Sequence, residues 1–433
     1  MNLSKGEIDR LGNLIREETG ALSESTINRL QEYRTSHKEA LSEIFRIICT
    51  VTPRVKGRSI VTYRIKRFQS IISKLNRIPE MRFSRMGDIG GCRCILETDE
   101  EVFKLKSVLE GKLNIIKVND YITNPREDGY RSLHLYVNLP NDSTLIEIQL
   151  RNISDHNWAT LVEITDLLFD TKLKEYGDHT EFSRFHYLLS IVDDLTIQER
   201  KEIIKIIYKH KYVEKLSGVF ARNYIQVRKQ WLNIQNKTTH KYFLIESNKD
   251  DVPSIESFRN FNEAELNYFN LYKTRPDANA VLTHLPFPSY NQIGIAYSNY
   301  ILTFHDFLND CDRIHESLII DSLEIGKILD FRRFLDRYNE MAYNRLRILV
   351  EEANEVNSII KRSKKSKIKS KEKEWATDLN NQIKSIYDDS RKFRSKFQTI
   401  LPSKGFKRIL IALIVRRATN KYRRNVRKLN LSK

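Results

Sequence analysis

Cysteine is scarce in this chain. Cys49, Cys92, Cys94 and Cys311 are the four in 433 residues, and none stands in a C-x-x-C pair. Neither a disulfide framework nor a cysteine zinc site is expected, and a reducing compartment fits. Long apolar runs are lacking as well: the longest, 409–415, is far short of the roughly 20 residues that cross a bilayer. The first eight residues, Met1-Asn2-Leu3-Ser4-Lys5-Gly6-Glu7-Ile8, do not form the basic-then-apolar run of a signal peptide. A cytoplasmic protein without a transmembrane segment is therefore expected. No repeat of fixed period is present, and the length suits about two to four domains with ample core.

Acidic residues are missing from one end. Residues 390–433 hold no Asp or Glu, and 361–433 carry 24 Lys or Arg against 5 Asp or Glu, a balance of +19. The whole chain is at +18, so the preceding 360 residues sum to −1. A nearly neutral body thus bears a basic module, which points to a polyanionic partner such as tRNA or ribosomal RNA. Within that module Phe406, Ile409, Leu410, Leu413 and Ile414 mark one helix face. It reads as a packed helix with basic edges, an RNA-contacting helix or a membrane-surface helix.

The pattern along the chain changes three times. Residues 1–50 read as a helical segment, with an N-cap-like Ser23-Glu24-Ser25-Thr26 and periodic Leu30, Tyr33, Leu41, Ile44 and Phe45. From 51 to about 170 helix and strand patterns alternate, an α+β unit with a sheet at its centre. Helical spacing then returns through Phe182, Phe185, Leu188, Ile203 and Ile206. These trailing helices are expected to pack on the sheet, making 51–240 one domain. Residues 242–245 read as a strand, 257–272 as a helix and 291–297 as a further strand, so 241–320 is expected to be a small α/β accessory domain. Residues 321–433 read as a helical basic region, with long helices at 321–361 and 372–400 joined through a basic tip at 361–367.

Chemistry concentrates in the second of these regions. In 145–151, Glu147, Gln149 and Arg151 alternate with Ile146, Ile148 and Leu150, so an acid, an amide and a guanidinium share one strand face. Over 63–77, helical spacing stacks Lys66, Ser70, Lys74 and Arg77 opposite Ile65, Phe68, Ile72 and Leu75. Asp88 precedes Gly90-Gly91 and a strand-like Cys92-Arg93-Cys94-Ile95-Leu96. A carboxylate at a strand end beside glycines is a reasonable Mg²⁺ ligand, with Glu147 as the second, because Mg²⁺ takes one or two carboxylates plus substrate phosphates. Tyr130, Ser132, His134 and Tyr136 alternate in the same way, and an aromatic beside Gly129 suits stacking on a base.

Taken together, Arg64-x-Lys66-x-x-x-Ser70-Ile71-x-x-Lys74, Asp88-x-x-Gly91-x-Arg93, Asp120-Tyr121-Ile122, Pro125 through His134, Glu147-Ile148-Gln149-Leu150-Arg151 and Trp158-Ala159-Thr160 resemble the synthetase domain of the RelA/SpoT family. The resemblance covers about 50–170. It implies a nucleotidyltransferase-like mixed β-sheet flanked by helices, and transfer of the β,γ-pyrophosphate of ATP to a 3′-hydroxyl, normally of GDP or GTP, giving (p)ppGpp. By resemblance, Arg64, Lys66, Ser70, Lys74 and Arg93 would bind ATP, and Asp88 and Glu147 would hold Mg²⁺, with Glu147 also the base. Tyr130 would stack on the acceptor base, and Arg126, Asp128, His134, Gln149 and Arg151 would line the acceptor site.

Two departures bear on the acceptor and on control. Asp128 stands where the family usually has Asn, which leaves adenine nucleotides or an RNA terminus open beside guanine nucleotides. Glu163 falls one place later than in compact synthetases and is left out of the site. About 50 residues before the domain are too few for the family's hydrolase, so a synthesis-only enzyme restrained by an inhibitory partner or antitoxin is expected, like toxic members that modify the tRNA 3′ end. A non-catalytic nucleotide- or RNA-binding regulator is the reading of another class; Asp88 and Glu147 together argue against it.

Overall fold

Three helices lead into the sheet, and each is legible in its residues. α1 (Lys5–Glu17) starts on a capping box, the Ser4 hydroxyl accepting from the Glu7 amide while Glu7 accepts from the Ser4 amide. α2 (Glu24–Ser36) is capped by Ser23, and α3 (Lys38–Val55) buries Leu41, Ile44, Phe45 and Ile48. The computed structural model describes residues 3–18, 22–57, 59–171, 173, 181–234, 239–246, 253–296, 303–362, 366–400 and 406–429.

The chain continues through β1 (Ile60–Ile65), α4 (Phe68–Arg77), β2 (Gly90–Leu96), α5 (Asp99–Glu110), β3 (Asn114–Asp120), β4 (Leu133–Leu139) and β5 (Asp142–Asn152). Next come α6 (Ile153–Phe169), α7 (Glu181–Ser190), α8 (Ile197–Lys209), α9 (Tyr212–Ile234), β6 (Tyr242–Glu246), β7 (Ser254–Phe258), α10 (Phe261–Thr274), β8 (Ala280–His284) and α11 (Tyr290–Ala296). Four longer helices follow: α12 (Thr303–Glu324), α13 (Ile328–Arg362), α14 (Ser366–Ile400) and α15 (Phe406–Arg427). They fall into two compact units, Met1–Ser190 with Gln226–Thr303, and Ile191–Ile225 with Phe304–Lys433.

The first unit is built on one mixed sheet of order β3-β4-β5-β2-β1-β8-β6-β7, in which β2 and β5 run parallel and the other neighbours antiparallel. Alternation sorts its residues. Val61 and Tyr63 of β1, Cys92 and Cys94 of β2, Leu133, Leu135 and Val137 of β4, and Ile146, Ile148 and Leu150 of β5 enter one core with residues of α3, α5 and α10. A second core joins Leu11, Leu30, Phe68, Ile71, Leu75, Phe83 and Ile89, which ties α1, α2 and α4 together. The polar half of each alternating strand is left on the opposite face of the sheet.

Several expectations need correction. Residues 241–320 do not form an accessory domain, because β8 pairs with β1 through Val61↔His284 and Tyr63↔Leu282, and β6 and β7 extend the same sheet. Local composition changes near 240, but β1 has a second hydrogen-bonding edge that must be paired, and distant strands fill it. The stretch 63–77 is not one helix: the β-branched and aromatic run Ile60-Val61-Thr62-Tyr63 pairs with β2, and α4 begins only at Phe68. Ser257 and Phe258 close β7, so the helix expected over 257–272 starts at Phe261. The strand expected over 291–297 is α11 as far as Ala296; the Ser289 hydroxyl accepts from the Gln292 amide and Ile293 and Ala296 are buried one turn apart. Tyr297 lies outside the described residues.

The second unit is helical. Residues 191–225 group here rather than with the sheet, so the trailing helices of 171–240 are divided between the units. α13 and α14 run antiparallel: Trp375 Nε1 donates to Glu352 Oε1 (3.0 Å) and the Tyr338 and Phe393 rings lie 4.8 Å apart. Their basic tip includes 363–365, outside the described residues. α15 buries Ile411, Ala418, Tyr422 and Val426, whereas Phe406, Ile409 and Leu413, on the face read as packed, RNA-contacting or membrane-surface, are exposed. The packed stripe is the one that meets α13.

Candidate active site

Strand register assembles the site. Across the polar face, Arg64 of β1 is opposite Gly91 of β2, Gly91 is beside Glu147 of β5, and Glu147 faces Tyr136 of β4. The next row runs Thr62, Arg93, Gln149, His134. Period-2 alternation therefore brings residues from four strands to one patch. Gly91 keeps the middle of the first row open, since a Cβ there would lie 3.3 Å from the Glu147 carbonyl oxygen.

At one end of this patch is a charge cluster. Lys66 follows β1, with its amide donating to the Ile89 carbonyl at 2.8 Å, and Lys74 and half-buried Ser70 lie one turn apart on α4. Both lysine Nζ atoms reach the same oxygen, Asp88 Oδ2, at 2.7 Å and 2.9 Å. Burial works against the Asp88 charge, but the two lysines outweigh it and hold the carboxyl below its usual range. The other oxygen, Asp88 Oδ1, is buried with no partner among the described residues.

The Lys66 backbone is itself anchored by a residue that the sequence pattern did not single out. Arg34 of α2 is 1% exposed, lies over the rings of Phe68 and Tyr272, and donates from Nε to the Lys66 carbonyl (3.0 Å) and from Nη1 to the Pro276 carbonyl (3.2 Å). Nothing local marks it, because both carbonyls are distant in sequence.

Glu147 is 6% exposed and fully engaged. Tyr136 Oη donates to Oε1 at 3.0 Å, His134 Nδ1 lies 3.0 Å from the same oxygen, and Gln149 Nε2 donates to Oε2 at 2.8 Å. Burial would raise its pKa, yet the bonds from His134 and Gln149 and the Arg64 charge pull it well below the usual carboxylate range. Tyr136 was not assigned to the site by sequence; its phenol is pushed up by burial and by the Glu147 charge it faces.

The chain of contacts continues outward. His134 Nε2 is 2.8 Å from Tyr130 Oη, and Arg151 donates to Tyr130 Oη, with its guanidinium 4.9 Å from the Tyr130 ring centre. Arg93 Nε donates to Gln149 Oε1 (3.3 Å); burial, then the charges of Arg151 and Arg64, lower its pKa to about 9. Arg93 also feels the charge of Glu163, so that residue does lie near the site. Arg126 sits 5.6 Å from the centre of the Tyr130 ring and pairs with Asp128 at 3.1 Å. Asp128 Oδ1 accepts from the Tyr130 amide (3.0 Å), so Asp128 shapes this loop. Gly129 permits the turn with φ +88°, and a Cβ there would strike Ser190 of α7.

Two carboxylates fit a divalent cation here. The unpartnered Asp88 Oδ1 is buried, and the Asp88 and Glu147 charges oppose each other across the patch. A hard cation with substrate phosphates completing its shell would relieve both conditions. No cluster of three or more His, Cys, Asp or Glu suited to a metal occurs among the described residues, so the protein alone would not saturate it.

A lysine–carboxylate corner and a hydrogen-bonded glutamate thus lie together on the polar face of a mixed sheet. Residues 63–167 match the region found in RelA/SpoT proteins, so this part of the chain is similar to that region. It is 34% identical over 140 residues to GTP pyrophosphokinase YwaC of Bacillus subtilis (strain 168), a match covering 28% of this chain and 66% of that protein. To GTP pyrophosphokinase YjbM of the same organism it is 33% identical over 111 residues, covering 23% of this chain and 53% of that one. The chain thus spans between about half and two thirds of the length of these relatives. The crystal structure of small alarmone synthetase 1 from Bacillus subtilis bound to its product pppGpp aligns with TM-score 0.34 and 20% identity, over 42% of this chain and 97% of that chain. No described helix is long and apolar enough to cross a membrane.

Proposed function

We propose that this domain transfers the β,γ-pyrophosphate of ATP to the 3′-hydroxyl of a purine nucleotide, GDP or GTP, to yield (p)ppGpp. The observation that carries the reading is the row Arg64, Gly91, Glu147, Tyr136, which sets a buried, ionised carboxylate beside an open glycine and next to the Lys66–Lys74–Asp88 cluster. Pyrophosphoryl transfer needs positioning and charge neutralisation more than covalent chemistry.

In this reading Arg64, Lys66, Ser70, Lys74 and Arg93 bind the ATP phosphates. The lysines exchange Asp88 Oδ2 for phosphate oxygens, which frees that carboxylate. Bound by Asp88 and Glu147, Mg²⁺ would supply neutralisation of charge on the phosphate oxygens. Tyr130, backed by Arg151 and flanked by Arg126, presents its ring to the acceptor base, while His134 and Gln149 hold Glu147 in place. Glu147 accepts the 3′-hydroxyl proton as the bond from the 3′-oxygen to Pβ forms; the Pβ bond to the α,β-bridging oxygen breaks, and AMP leaves with the electron pair. The pyrophosphokinase names of the two Bacillus subtilis relatives support the reading.

The test is incubation of the purified chain with γ-labelled ATP and, separately, GDP, GTP, AMP or tRNA. Label in GDP or GTP product with equimolar AMP, lost in Glu147→Gln, is the expected outcome. Label in tRNA alone would assign a different acceptor, and no transfer to any acceptor would overturn the enzyme reading.

A further inference from the structure

The outward stripe of α15 follows one helix face from end to end: Phe406, Ile409, Leu413, Arg416, Asn420, Arg424, Arg427, in steps of three and four. All seven are exposed, whereas Ile411, Ala418, Tyr422 and Val426 on the opposite face are buried. The helix is therefore already anchored within its unit, and the stripe is surplus to that packing. Its first three residues are large and apolar, 78%, 60% and 56% exposed. Three of the next four are arginines.

We propose that this stripe docks on the surface of an anionic lipid bilayer, with the three apolar side chains inserted at the level of the acyl boundary and the arginines on headgroup phosphates. Charge and hydrophobicity together select this occupant. No acid occurs between residues 390 and 433, so a second copy of the helix would meet like charge and cannot complement it. RNA would satisfy the arginines but offers nothing to Ile409 and Leu413, which cannot stack on bases as an aromatic does. A lipid interface takes both halves at once, since apolar insertion and attraction to anionic headgroups are the two contributions that hold an interfacial helix. No described helix is long and apolar enough to span, so the mode is surface attachment. The inference stands apart from the proposed transfer reaction.

Flotation of the full chain with vesicles tests it, using phosphatidylcholine alone and phosphatidylcholine containing phosphatidylglycerol, with a heteropolymeric RNA assayed in parallel. Binding to the anionic vesicles at least about tenfold above that to the neutral ones is expected, falling by a similar factor in the triple variant Phe406→Ser/Ile409→Ser/Leu413→Ser and in Arg416→Gln/Arg424→Gln/Arg427→Gln. Circular dichroism checks that both variants fold, and Leu413→Asp alone provides the same readout should the triple variant fail. Absence of vesicle binding overturns the proposal, as does vesicle binding unchanged by the apolar variants. RNA binding that survives the apolar triple variant, without vesicle binding, overturns it in favour of nucleic acid.

Discussion

Around Asp88 two lysines crowd one carboxylate oxygen and leave the other buried and unpartnered, whereas around Glu147 three side chains engage both oxygens. The first arrangement is a set of charges that a ligand can reorganise; the second is a frame that the protein's own side chains already hold. In the proposed transfer reaction the contrast divides the labour, with the lysine corner rearranging on phosphate binding and the glutamate row holding the reacting geometry fixed. Each half predicts a different response to mutation.

The largest effect should come from the rigid half. Glu147→Gln preserves shape but removes the charge and reverses one hydrogen bond, and transfer should fall by about 10²–10⁴-fold in kcat with the KM for ATP little changed. Single-turnover transfer of label measures this directly. A loss confined to KM would mean that Glu147 only binds, and the contrast between the halves would collapse.

In the reorganising half the signature should be the reverse. Lys74→Met removes a charge-assisted contact worth about 1.5–3 kcal/mol, which corresponds to a rise in KM for ATP of about 10–100-fold with a smaller change in kcat. Steady-state kinetics over a range of ATP at fixed acceptor reads it. Equal losses in kcat and kcat/KM would instead assign Lys74 to the transition state alone.

The two halves also differed in how far sequence revealed them. The glutamate row was legible because strand alternation is strict: Glu147, Gln149 and Arg151 on one face and Ile146, Ile148 and Leu150 on the other needed no knowledge of neighbours. Tyr136 belonged to an equally plain alternation, and its register opposite Glu147 was the missing step. The lysine corner was visible in its residue types but its geometry was not, since Arg64 lies on a strand, Lys66 in the connection and Lys74 on a helix. Long-range pairing was hidden altogether. Nothing local in 280–284 announces that β8 will cover the free edge of β1, and nothing in 24–36 announces that Arg34 will hold the Lys66 carbonyl.

Arg34 offers the next way to sharpen the comparison, because it stiffens one element of the otherwise adaptable corner. Arg34→Met leaves the Lys66 and Pro276 carbonyls without their donor, at a cost of about 1–3 kcal/mol for a buried acceptor, partly offset because a buried guanidinium no longer has to be desolvated. Denaturant unfolding should show the loss, with KM for ATP raised more than KM for the acceptor. On the acceptor side, Gly129→Ala places a Cβ at φ +88° against Ser190, and about 1–2 kcal/mol of strain should appear in stability with the acceptor KM rising instead. An Arg34 variant that disturbed acceptor and ATP equally would erase the boundary between the halves.

The smallest effect tests how the glutamate frame stores its stability. Glu147 has a depressed pKa in the fold, so the ionised carboxylate contributes stability that is fully present above its ordinary value of 4.5 and is lost as pH falls below it toward the folded value. Tyr136→Phe removes one of the donors that favour the ionised form. At neutral pH the variant should be less stable by about 1 kcal/mol, below the ~1.5–3 kcal/mol of a hydrogen bond to a charged group because the phenol is half-buried. As pH drops below 4.5 both proteins should lose stability together, because Glu147 protonates in the unfolded chain while it stays ionised in the fold, so the gap between them should hold constant down to pH 3. Thermal unfolding of both proteins from pH 3 to pH 7 gives the two curves. A gap that closes within that range would show that Glu147 takes up a proton in the fold, which would overturn the reading of a carboxylate held ionised by Tyr136, His134 and Gln149.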